Sequence, residues 1–153
     1  MTGAVQKPGS QLAGYRGPQV CKIVGITYRQ LDYWARTDLV RPSVMDANGS
    51  GTQRLYGFRD LLALKVIKQM LDAGLELKSA RTAIESLRKF GGDPASARII
   101  VDGKSAIVVD EDQFLDLMRD GQGVLSFVPL KPVVEQINEA VQLSFDDAKA
   151  SGQ

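Results

Sequence analysis

The residues with most to offer chemically lie in the first third of the chain. Arg29, Arg36 and Arg54 carry guanidinium forks, and Tyr28 and Tyr33 combine an apolar ring with a hydroxyl. Guanidinium geometry matches phosphate and carboxylate oxygens, so this set is suited to holding an anion. It is poorly suited to bond cleavage. The chain has no histidine, and Cys21 is its single cysteine. Ser-His-Asp and Cys-His arrangements are therefore excluded, as are a Cys/His zinc cluster and an internal disulfide. No catalytic residue, cofactor or metal is expected. Cys21 lies among apolar residues and reads as a small core side chain. Asp110, Glu111 and Asp112 read as acids at a helix start, where the dipole favours them, and not as an acid–base site.

The chain has 153 residues, 44% of them hydrophobic and 24% charged. That is enough for a real core in one domain or two small ones. No apolar run is long enough to span a membrane, and residues 1–11 lack a signal-peptide pattern. A soluble, cytoplasmic, nucleoid-associated protein is the expectation. The net charge of +1 hides an asymmetry: residues 1–96 carry 14 Lys and Arg against 8 Asp and Glu, and residues 97–153 carry 5 against 10. A basic half joined to an acidic half suggests that only the first half meets a polyanion.

The elements that must position these residues follow from breakers and periodicity. Residues 1–14 are rich in Gly, Gln, Ser and Pro and read as a flexible tail. Gly17-Pro18 opens a short helix to Val24, with proline where its missing N–H costs nothing. Gly25 ends it, and Thr27 is a good N-cap for a second helix over 28–36. Two short helices joined by a glycine-containing turn form a helix-turn-helix unit. Leu31 and Trp34 share the face expected to pack on Val20 and Val24, leaving Tyr28, Arg29, Asp32, Tyr33 and Arg36 outward. Residues 46–51 form a turn-rich loop before Gln53-Arg54-Leu55-Tyr56, so two short strands around a wing are expected. A third helix over 60–73 buries Leu61, Leu64, Ile67 and Leu71 and stops at Gly74. A fourth over 78–89 buries Ala80, Ile84 and Leu87, and Lys65 and Lys68 read as an exposed helix face.

Residues 90–94, Phe-Gly-Gly-Asp-Pro, are the expected domain boundary. Beyond it the period changes. Strands over 98–101 and 105–109 flank Asp102-Gly103, a strong hairpin signal. Asp110 caps a helix over 111–119, residues 123–128 read as a third strand, and Pro132 starts a last helix. The tail from Asp146 is expected to be loose.

These residues resemble a family. The run from Gly17 to Arg36, the exit Leu39-Val40-Arg41-Pro42, the strand Gln53-Arg54-Leu55-Tyr56 and the closure Ala73-Gly74-Leu75 look like the DNA-binding domain of bacterial MerR-type regulators. The resemblance covers about residues 15–90. It implies that Arg29 lies on a recognition helix that enters the major groove, and that Tyr33 and Arg54 contact the DNA backbone. It also implies that Tyr56 props the wing on the core. Arg29 is then placed for bidentate bonding to guanine. The start of the first helix offers N–H groups to phosphate.

The sequence departs from the family in several ways. Asp32 stands where arginine is usual; it can accept from cytosine N4 or orient Arg29 or Arg36, and the latter reading is preferred. Trp34 replaces a second tyrosine and is expected in the core. Gly91 and Pro94 sit where the family's long dimerising coiled coil would run, and the metal-sensing cysteines are absent. The family's fold transfers here, without its metal switch.

The expected protein is α+β, with an N-terminal winged helix-turn-helix domain over 15–90. A small C-terminal domain with three strands and two helices follows over 96–145, and a loose tail over 146–153. The candidate DNA contacts are Arg16, Thr27, Tyr28, Arg29, Tyr33, Arg36 and Arg54. One recognition helix reads too few base pairs for a genomic address, so a dimer on two half-sites is expected. Val134, Ile137 and Val141, with the apolar runs around Ile99 and Ile107, are the candidate dimer surface; the alternative is that they fill the domain's own core. The expected function is promoter binding and distortion by a transcriptional regulator. An architectural, excisionase-like DNA-bending protein is the alternative. A regulator whose second domain holds a small molecule or protein is a third reading. Expected partners are double-stranded DNA, a second copy and RNA polymerase; the small-molecule effector is left open, and no membrane is involved.

Overall fold

The computed structural model describes residues 14–45, 54–102, 105–120 and 126–150. In chain order the elements are β1 (Tyr15–Arg16), α1 (Gly17–Val24), α2 (Tyr28–Arg36), β2 (Leu55–Tyr56), α3 (Phe58–Asp72) and α4 (Leu77–Lys89). A 3-10 turn at Pro94–Ser96 leads to β3 (Arg98–Asp102), β4 (Ser105–Val109), α5 (Glu111–Arg119), β5 (Ser126–Pro129) and α6 (Lys131–Ala150). The mixed helix and strand class is as the sequence reading has it. The chain forms two compact units: Met1–Leu64 with Ala140–Gln153, and Lys65–Glu139.

In the first unit, β1 pairs antiparallel with β2, setting Tyr15 opposite Tyr56 and Arg16 opposite Leu55. Strand β1 has two residues, too few for any alternation to show in sequence, and it was not expected. Helix α1 ends at Gly25, whose φ of +86° supplies the left-handed turn, and its N–H donates to Cys21 O at 2.8 Å. Val20, Val24, Leu31 and Trp34 are all buried, the packing expected of a helix-turn-helix. Cys21 is half-buried, and burial pushes its thiol pKa up, away from the reactive thiolate.

The wing is anchored by a carboxylate. Asp60 Oδ2 accepts from Ser43 N at 2.8 Å, Ser43 Oγ at 2.7 Å and Gly57 N at 2.8 Å. Ser43 follows the exit from α2, and Gly57 follows β2, so one oxygen ties both feet of the wing. Asp60 also explains why α3 starts two residues before the expected 60: a side chain in the first turn reaches back to the N–H preceding the helix, half of a capping box. Leu55 bonds Met45 in both directions, Leu55 N to Met45 O at 2.7 Å and Met45 N to Leu55 O at 3.1 Å. They form a single β-bridge at the base of the wing; of the two strands expected there, only β2 forms among the described residues. The loop expected at 46–51, and Gln53, lie outside the described residues.

In the second unit, the three-stranded antiparallel sheet has the order β4-β3-β5. Helix α4 lies along β4, and Ser86 Oγ accepts from Val108 N at 2.8 Å. The expected break at 90–94 is present as a helix end and a turn, but it falls inside this unit because α4 shares a core with the hairpin. Helix α4 stops at Lys89, so no long coiled coil continues from it. Asp110 caps α5 in a full capping box with Gln113. Phe114 of α5 covers Ile100 and Val109, meets Phe127 edge-on at 4.8 Å and carries the Arg98 guanidinium at 4.2 Å over its ring. Arg98 is also ion-paired with Glu111.

Three expectations are corrected here. Helix α6 runs through Ala150, so the segment from Asp146 is helical; its sequence holds no glycine or proline before Gly152. Met70 is buried, whereas Leu71 is only half-buried, because the α3 stripe is wider than the chosen positions. Ile137, expected on a dimer surface, is 0% exposed in the single chain, as is Ile99. A stripe at i, i+3, i+7 marks a buried face whether the partner is the same chain or another, and at Ile137 it is the same chain. Val134 and Val141 are half-buried.

Asp60→Ala should lower the unfolding free energy by about 3 kcal/mol, because it strands backbone donors; Asp60→Asn, which keeps an acceptor, should recover part of this in denaturant titration. Ile137→Ala should cost about 2–5 kcal/mol. That loss should be independent of protein concentration, unlike the loss from a residue shared between two copies.

Candidate nucleic-acid interface

The interface is built on α2. Thr27 precedes it in extended conformation; its Oγ1 accepts from Gln30 N at 3.0 Å, and Gln30 Oε1 accepts from Thr27 N at 3.0 Å. This reciprocal pair satisfies two of the helix's orphan donors and fixes its first turn. The Thr27 hydroxyl is thus committed to the helix end, which itself is exposed. Leu31, Trp34 and Ala35 hold the inner face. Tyr28 is 59% and Tyr33 52% exposed, and Arg29 and Arg36 are exposed with them. Large aromatic side chains so open to solvent, interleaved with arginines on one face, do not serve the chain's own core.

Tyr28 is nevertheless seated. A Cβ at Gly17 would lie 3.0 Å from its Cε1 atom, so its ring rests on the backbone where α1 begins. This role of Gly17 was not anticipated; a glycine in the first turn of a helix is only a weak sequence signal. Helix α1 has no side-chain cap, and exposed Arg16 precedes it, with Pro18 in its first turn. Its first N–H groups are left to solvent or an anion. Arg29 makes no ion pair among the described residues, and it stands open on the outer face.

Asp32 is where the structure departs most from the resemblance. Its Oδ2 accepts from Arg36 Nε at 2.9 Å, and its Oδ1 accepts from Arg54 Nη1 at 2.8 Å. The expectation that Asp32 orients an arginine holds, with Arg36 and Arg54 as the arginines and not Arg29. The hydrogen bond from Arg54, and secondarily Arg36, holds the Asp32 carboxyl below the usual carboxylate range. The Arg54 side chain is only 18% exposed, and its Nε is buried with no hydrogen-bond partner among the described residues. The guanidinium expected to reach phosphate is turned onto the recognition helix. The Arg36 side chain, by contrast, is 65% exposed and meets Asp32 through Nε. Asp60, the anchor of the wing, carries in sequence only the mark of a helix start. An acid three residues after Gly57 and before an apolar run was the signal available.

A family model described as MerR HTH family regulatory protein matches residues 15–87. Relatives described as uncharacterized HTH-type transcriptional regulators, one from Mycobacterium bovis and two from strains of Mycobacterium tuberculosis, are 50% identical over 116 residues. That alignment takes in 74% of this chain and 52% of theirs, so the chain spans about half the length of the curated relatives it matches. The matched segment holds the capped helix, its aromatic and arginine face and the wing root. Residues 15–87 therefore form a MerR-type helix-turn-helix domain.

Proposed function

We propose that this chain regulates transcription by binding double-stranded promoter DNA as a dimer, with α2 in the major groove, and by distorting the site it occupies. The observation that carries the reading is the outer face of α2: Tyr28, Arg29, Tyr33 and Arg36 are exposed on a helix whose inner face and first turn are fully tied down. A rigid helix presenting guanidinium forks and tyrosine hydroxyls suits base edges and phosphates together. In this reading Arg29 reads a base edge, Tyr28 and Tyr33 touch the backbone, and Arg16 and the uncapped start of α1 hold a phosphate. Thr27 acts by fixing the helix end that enters the groove.

Half-site symmetry requires a second copy. Half-buried Val134 and Val141, and Ile107, which is 50% exposed on β4, are the candidate contacts. Bending the site costs a few kcal/mol, which contacts from the wing and α1 would offset. RNA polymerase is the partner on which such a distortion would act.

Genomic fragments selected by the purified protein should share an inverted repeat in promoter spacers. Arg29→Ala should weaken binding to that repeat by about tenfold or more and relax one position in each half-site. Diffuse recovery of fragments, unchanged by Arg29→Ala, would move the reading to an architectural DNA-bending protein.

A further inference from the structure

Asp32 places a carboxylate on the face that meets DNA, where simple electrostatics disfavours it. It is 2.9 Å from Arg36 and 2.8 Å from Arg54, one oxygen to each. Arg36 lies in the last turn of α2, and Arg54 immediately precedes β2 at the root of the wing. The two guanidiniums therefore meet on one anion, although they belong to different elements. Arg54 is nearly enclosed, so its charge is held by Asp32 and not offered to solvent.

For Arg36 the consequence is orientation. An unpaired arginine side chain rotates about several bonds, and ordering it on DNA opposes binding. With Nε fixed on Asp32, the plane of the guanidinium is set and its two Nη groups form the free edge. Two parallel donors on a fixed plane match the O6 and N7 acceptors of guanine in the major groove. A carboxylate beside them repels phosphate but tolerates a base edge, which favours guanine as the partner over the DNA backbone.

We propose that Asp32 is a positioning residue for sequence recognition: by bridging Arg54 to Arg36 it locks the wing root to the recognition helix and aims Arg36 at a guanine. The proposal rests on the DNA-binding reading above.

Two models of Asp32 predict different outcomes for the ratio of specific to non-specific affinity. If the carboxylate matters only as charge, Asp32→Asn removes a repulsive group and tightens specific and non-specific binding alike. If it positions Arg36, Asp32→Asn lowers the ratio of specific to non-specific affinity. The test selects random DNA duplexes with wild type, Asp32→Asn, Arg36→Ala and the double variant, and measures affinity for the selected and for scrambled duplexes. Thermal melting of each variant checks that it is folded at the assay temperature.

The expected result is a fall in the specificity ratio of about tenfold for Asp32→Asn, loss of preference for one guanine per half-site, and unchanged or tighter binding to scrambled DNA. In the Arg36→Ala background the Asp32 substitution should leave base preferences unaltered, which a general loss of fold would not produce. A wild type that selects a site, with Asp32→Asn retaining every base preference and the same ratio, overturns the proposal alone. A wild type that enriches no sequence overturns the DNA-binding reading and this proposal with it.

Discussion

One carboxylate oxygen, Oδ2 of Asp60, holds the joint on which the first unit is assembled. It receives the backbone of Ser43 as the chain leaves α2 and the backbone of Gly57 as the chain leaves β2. Between these points the wing departs and returns. On one side of the joint, Leu39 and Val40 donate their N–H groups to Trp34 O at 2.9 and 3.2 Å, closing the recognition helix and turning the chain toward Ser43. On the other side, β2 pairs with β1, and β1 runs directly into α1. Recognition helix, wing and first helix therefore take their places from one buried acceptor. Buried backbone donors need a partner, and a charged acceptor at the start of a helix is favoured by the dipole as well.

Most of this was legible where the signal is local. Helix α2 begins and ends as expected, because Thr27 with Gln30, three residues later, is a capping pattern written into four positions. Gly25, Gly74 and Asp110 likewise punctuate helices through their own backbone preferences. The hairpin of β3 and β4 follows from two β-rich runs around Asp102-Gly103. The inward and outward faces of α2 follow from a period of 3.6, so the candidate surface is legible in the sequence itself.

What escaped the sequence is non-local. Asp32 has arginines three residues before it and four after it, both within reach on a helix, and nothing in sequence decides between them. Its second partner, Arg54, is 22 residues away and meets it only through the wing. Strand β1 exists because β2 is there to pair with it. Ile137 could not be assigned to a core or to a contact between copies, since both ask for the same stripe. The division of the chain has the same cause: Gly91 to Pro94 do break the helix, but α4 shares its core with a hairpin that lies beyond the break.

Asp38 stands at the exit from α2 with φ of +64°, alone among the described non-glycine residues in that region, and accepts from Arg41 Nη1 at 2.7 Å. Left-handed backbone is open to Gly, Asn and Asp and costs other residues about 1–2 kcal/mol. Sequence drift at this position is accordingly narrow. As related chains diverge, it should alternate among these three residues.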